Sequence, residues 1–294
     1  MKKTLSSIFL LFLVLAVLFS LSSAAEKGSA AQKLYELKYQ MKPGTKFVMV
    51  STGTTETVTD QMGTEVVANI DSEGTDTYTV LSSDQEKGLS IELEMGERIQ
   101  DISSAMGAAS SDFSALVGKK AKFVLKADGT VEGFEGFETI PEVTTASGEV
   151  LTKDLYELGV KGTFPKLPDK PVKFGDTWND VQGEDVPLGG GTLRSDNETV
   201  YTLAEEVEKN GMACLRIEFT DKNKLSGDFE QQGQPLTLER DTTTTGNMYF
   251  ALEKGMFILY ETEAKAEGTI YVQSAGIEIP QTIATKGSVT VRFE

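Results

Sequence analysis

The chain has 294 residues, a formal net charge of −17, no histidine and one cysteine. Without histidine, Ser-His-Asp and Cys-His nucleophile systems, histidine-held zinc or copper and histidine-ligated haem are excluded. The acidic balance repels nucleic-acid phosphates and anionic membrane surfaces, and a single cysteine cannot close an internal disulfide.

In chain order, residues 1–25 read as a secretory signal peptide: Lys2 and Lys3, an apolar run over 5–21, and small residues leading to Ala25. The run falls short of the ~20 residues that span a bilayer. Cleavage and export to the periplasm or the exterior are expected, with no transmembrane segment left. Cys214 lies far from the cleavage site and offers no lipid anchor there. Removing 25 residues and their two lysines leaves 269 residues at net charge −19, ample for a large core.

After a polar linker over 26–33, two β-rich units are expected at 34–160 and 179–294, joined by a proline-rich connector over 161–178. The fold class predicted is mainly β: antiparallel curved sheets or half-barrels with few short helices. Strands are predicted at 47–52, 77–82, 89–95, 121–126, 199–206, 213–220, 247–252, 256–262, 269–272 and 288–293, from runs rich in Thr, Val, Ile, Phe and Tyr between glycine turns. The clearest is 89–95, where Leu89, Ile91, Leu93 and Met95 alternate with Ser90, Glu92 and Glu94. Helices are predicted at 101–117, from the spacing of Met106, Ala109, Phe113 and Leu116, and at 150–158.

Three turn signals recur at near-constant offset and point to a duplicated unit of ~125 residues. Lys42 to Phe47 matches Lys173 to Trp178, Lys87-Gly88 matches Asn210-Gly211, and Phe123 to Gly129 matches Phe250 to Gly255. Asp128-Gly129 and Asn210-Gly211 both suit type I′ hairpin turns. Pro165, Pro168 and Pro171 make the connector extended.

The phrase Leu-Pro-x-x-Pro-Val-x-x-Gly-Asp-x-Trp, within residues 164–178, resembles one in a family of secreted bacterial β-rich proteins that look like duplicated relatives of the lipoprotein-carrier (LolA-like) half-barrel. The resemblance implies a curved antiparallel sheet with a helix or loop across its concave face, and brings no catalytic residues.

Candidate chemistry is sparse. Glu92 and Glu94 share a strand face at a spacing glycosidases use, but a solvated sheet face explains them better. Asp71 to Asp76 gathers three acids about a glycine and fails the EF-hand pattern, which leaves an ordinary polar hairpin turn. Gly189 to Gly191 lacks the ending of a phosphate-binding loop, and Cys214 reads as a small strand residue opposite the face of Leu215, Ile217 and Phe219. No catalytic residue, metal site or cofactor is expected. Phe174, Trp178, Phe250, Phe257 and Tyr260 are the candidate ligand-binding residues, because a half-barrel leaves an apolar concave face. The expected function is a non-enzymatic binding protein of the bacterial envelope holding a lipid or other hydrophobic ligand. The alternative is an envelope protein with a filled core that binds other proteins.

Overall fold

A computed structural model describes residues 33–294 apart from Met62, Met106, Gly189, Gly190 and Gln232. The signal-peptide reading therefore falls outside the described residues, as does almost all of the linker. Glu36–Glu294 form one unit. Before it, only residues 33–35 are described, with the Lys33 ammonium 4.7 Å from the Tyr35 ring centre.

One antiparallel sheet of twelve strands dominates. The chain enters at its middle with β1 (Lys46–Gln61) and moves towards one edge through β2 (Thr64–Asp84), β3 (Gly88–Ser104), β4 (Gly107–Ser110), β5 (Lys120–Leu125) and β6 (Val131–Glu135). A crossover follows, holding the small hairpin β7 (Val143–Thr144) and β8 (Val150–Leu151) and, alone among the described residues, an α-helix, α1 (Lys153–Thr163). From the opposite edge the chain returns as a meander: β9 (Thr177–Leu188), β10 (Gly191–Lys209), β11 (Met212–Gln231), β12 (Gln234–Ala251), β13 (Met256–Val272) and β14 (Ile277–Phe293). β14 then pairs with β1 from Phe47 opposite Phe293 to Thr59 opposite Gln281. The sheet is not a closed barrel, and α1 packs against both edge strands, β6 and β9.

Every predicted strand is present, and most are fragments of longer ones. β2 has 21 residues, roughly 70 Å of extended chain. Apart from 269–272, at the far end of its strand, sequence patterning marked the basal portions, where the core is. Leu89, Ile91, Leu93 and Met95 are all buried on one face of β3, but its remainder alternates between half-buried and exposed positions. The predicted strands at 256–262 and 269–272 are one strand, β13.

Three expectations are corrected. Residues 101–117 are not helical: they form the end of β3, the hairpin to β4 and a 3-10 turn over Ser114–Leu116. Gly107 has a φ of +131°, and pairing of Ile102 with Ala109 overrides the helical spacing. Met106, one of the residues that suggested the helix, lies outside the described residues. The second helix starts at Lys153, after Val150–Leu151 pair as β8, and runs to Thr163, so the connector is extended only from Phe164. Asp71 to Asp76 form no turn but lie within β2, Asp71 standing between Thr54 and Asp101. Ladders on both sides outweigh the turn preferences of Asp, Ser and Gly.

Of the two predicted I′ turns, only Asn210-Gly211 has positive φ at both residues, 53° and 74°. At the other, Gly129 alone is positive, and the Asp128 side chain accepts hydrogen bonds from the Thr130 N–H and hydroxyl.

The matched turns make matching hydrogen bonds. Gly44 N–H donates to the Val80 carbonyl while Val80 N–H donates to Thr45, and Gly175 N–H donates to the Leu203 carbonyl while Leu203 N–H donates to Asp176. A bulge follows both Val80 and Leu203, 123 residues apart.

One lateral row gathers both aromatics and glycines. It runs Trp178, Tyr201, Phe219, Gly246, Thr262, Gly287, Gly53 and Ser72, across eight strands from β9 to β2. Three glycines in it remove side chains from the concave face, and the Phe219 ring lies over Gly246. Basal to this row the core closes around Phe47, Tyr78, Phe123 and Phe164.

Candidate functional site

The concave face carries a cavity of about 600 Å³ that spans the row of Tyr201, Phe219 and Thr262, from Met49, Tyr78 and Tyr260 on its basal side to Asp180 and Asp221 beyond it. Its cover is the C-terminal end of α1 and the strap that follows, residues 163–166. A helix end leaves carbonyls without intrahelical partners, and here the sheet supplies donors. The Tyr260 hydroxyl donates to the Thr163 carbonyl at 3.3 Å, the Tyr39 hydroxyl to Pro165 at 3.1 Å and the Trp178 indole N–H to Lys166 at 3.0 Å. The Lys166 ammonium also pairs with Asp128. Burial raises the Asp128 carboxyl, but the Lys166 and Thr130 donors prevail and hold it below its ordinary value. Burial pushes the Tyr39, Tyr78, Tyr201 and Tyr260 hydroxyls up, so all four stay protonated donors.

Register sorts the concave face of β9–β12 into layers about 7 Å apart. Beyond Trp178, Tyr201 and Phe219 come Asp180, Thr199, Asp221 and Thr244; then Gln182, Asn197, Asn223 and Thr242; then Glu184, Ser195, Leu225 and Arg240. The next layer is aliphatic: Val186, Leu193, Leu238 and, across β13 and β14, Ile270 and Ile279, with Leu236, Val272 and Ile277 beyond it. The polar layers line a second space of about 350 Å³ that shares walls with the first. Within it the Thr199 hydroxyl donates to Asp221 at 2.6 Å and the Asn223 amide to Ser195 at 2.7 Å. Burial raises the Asp221 carboxyl despite the Thr199 donor. Burial likewise lowers the Arg240 guanidinium, against the pull of Glu149 on the β7–β8 hairpin.

Of the five residues the sequence nominated, Tyr260 lines the cavity. Trp178 is stacked on Tyr201 at 5.4 Å and holds the strap. Phe250 and Phe257 meet edge to face at 5.2 Å in the basal core, each fully buried, and Phe174 is exposed at its surface. The polar layers were missed because each contributes one residue per strand, spread over some 65 positions; only correct pairing of four strands assembles them.

No known protein family matches the chain, and no curated protein matches it. The other sequence motifs resolve locally. Glu92 and Glu94 both pair with Lys120, at 3.0 and 3.1 Å, away from the concave face. Cys214 is buried, its thiol pushed up by burial, and Gly191 opens β10, while Gly189 and Gly190 lie outside the described residues. Among the described residues no three acidic or cysteine side chains converge as a metal site, and no helix is long and apolar enough to cross a membrane.

Proposed function

We propose that this is an exported, non-enzymatic binding protein of the bacterial envelope that holds a lipid or other hydrophobic molecule against its concave face. What supports the reading is uneven cover of one continuous surface. The strap closes the basal end, while at the far end Ile270, Ile277 and Ile279 stay partly exposed. Leu193, Leu236 and Leu238 of the same rim are buried, so the isoleucines form the exposed margin of an apolar concave surface, the ordinary form of a groove's mouth. The resemblance of residues 164–178 to the half-barrel carriers agrees with it. The matched turns and bulges likewise support two copies of one unit as the origin of the two arms.

Native mass spectrometry of the chain, expressed for export and purified without detergent, tests this. Cleavage after Ala25 and an extractable apolar mass at stoichiometric occupancy are expected. Thr244→Trp, which fills the wall shared by both spaces, should abolish that occupancy. A ligand-free protein that takes up no hydrophobic fluorescent probe would refute the reading and favour a protein-binding role.

A further inference from the structure

We infer that the polar layers of β9–β12 are a saccharide site: the ligand's head is an uncharged polyhydroxylated group, seated between the aromatic row and the aliphatic rim. This rests on the trough being a binding site, and it names the chemistry of what is bound there.

The first observation is Arg240. Its backbone sits in the β11–β12–β13 ladder, but its side chain makes no hydrogen bond or ion pair among the described residues and its Nε is buried without an acceptor. A buried donor left unmet is costly, so an acceptor is expected in the space it faces. That acceptor is not anionic. Glu184 and Asp221 line the same 350 Å³ space, and Glu149 approaches from the hairpin. An anion placed at Arg240 meets those carboxylates, whereas a cation placed among them meets Arg240. Both arrangements set like charges together among half-buried side chains, where their repulsion is only partly screened by water.

A neutral hydroxyl group satisfies both kinds of partner, because each hydroxyl donates one hydrogen bond and accepts others. The layer between the charged ones adds the amides of Asn197 and Asn223 and the Thr242 hydroxyl, which also donate and accept. On the basal side, Tyr201 and Phe219, with centroids 6.4 Å apart, present ring surface to the larger space. An aromatic face has a negative quadrupole that suits the C–H face of a sugar ring. On the distal side the aliphatic rim suits an alkyl chain. The sequence of surfaces is that of a sugar-headed amphiphile, and volumes of about 350 and 600 Å³ lie within the range of small-molecule sites.

Calorimetric titration of the purified protein, below each probe's micelle concentration, tests the head group with the chain held constant. The probes are dodecyl maltoside, laurate and dodecylammonium. Dodecyl maltoside is expected to bind at least tenfold more tightly than either ion. Arg240→Met and Glu184→Gln should each weaken dodecyl maltoside fivefold or more. Glu184 stands on the edge strand β9, so E184Q carries the test should Arg240→Met fail to fold. Tightest binding of laurate, lost in Arg240→Met, would overturn the inference in favour of an anion site; tightest binding of dodecylammonium, lost in Glu184→Gln, would do so in favour of a cation. Equal binding of all three, unmoved by either variant, would overturn it while leaving the trough as a site for the chain alone. Binding of none would remove both readings.

Discussion

Alanine at Gly246 should destabilise this protein while alanine at Gly53, in the same lateral row, should not. A Cβ on Gly246 would lie 2.2 Å from the Glu261 carbonyl oxygen, 2.7 Å from Phe219 Cε1 and 3.0 Å from its Cζ. The nearest atom is backbone, so β13 itself must move by about 1 Å to restore normal contact, and the Phe219 ring must leave its seat. Overpacking of this kind costs ~1–3 kcal/mol. The smaller unfolded-state entropy of alanine offsets ~0.4–1 kcal/mol, and because the clash is with backbone the upper part of the overpacking range applies, which leaves a net loss of up to about 2.6 kcal/mol. On Gly53 the new Cβ meets only the Ser72 hydroxyl at 3.0 Å and the Lys286 carbonyl at 3.6 Å. The hydroxyl can rotate away, so Gly53→Ala should be neutral or slightly stabilising. Urea unfolding of the two variants beside the parent, read as shifts in midpoint at constant slope, measures both. Equal stability of the two variants would refute the argument that Phe219 and β13 close over Gly246.

Tyr260→Phe and Trp178→Phe each remove one donor to the strap, at about 1 kcal/mol each, and should raise amide exchange or protease cleavage near residues 163–166 before any global unfolding; unchanged local protection would show that those bonds do not hold the strap. Burial raises the Asp221 carboxyl above its ordinary 3.8, so the folded state holds that proton more tightly than the unfolded one. Its contribution to stability is therefore full below pH 3.8 and lost as pH rises through the folded value. Asp221→Asn should remove this loss of stability above pH 3.8 and so change the pH dependence of the melting temperature there, and a curve parallel to the parent's would count against the burial argument. The Cys214 thiol, buried and pushed up in pKa, should resist a thiol reagent in the folded protein and react on unfolding in urea. Prompt reaction at neutral pH without denaturant would contradict that placement.

The chain alone determined the class of fold and the location of the strand cores, because a buried sheet face leaves period-2 alternation such as Leu89, Ile91, Leu93 and Met95. It also determined the Asn210-Gly211 turn, whose two residues tolerate positive φ without help from elsewhere. Tertiary structure decided how far each strand runs. Beyond the core the strands read as Thr, Asp, Glu and Gly, and residues 71–76 are extended only because β1 and β3 pair with them on either side. It decided likewise that residues 101–117 turn back as a hairpin instead of coiling, since pairing with β3 is a nonlocal interaction that a local spacing rule does not contain. The nominated aromatics divided on the same ground: Phe250 and Phe257 are buried against each other and the Tyr39 ring, whereas Tyr260 reaches the cavity and bonds to the strap. The polar layers depend wholly on register. Asp180, Thr199, Asp221 and Thr244 become neighbours only when β9, β10, β11 and β12 align, and a slip of one residue would turn each of them to the opposite face.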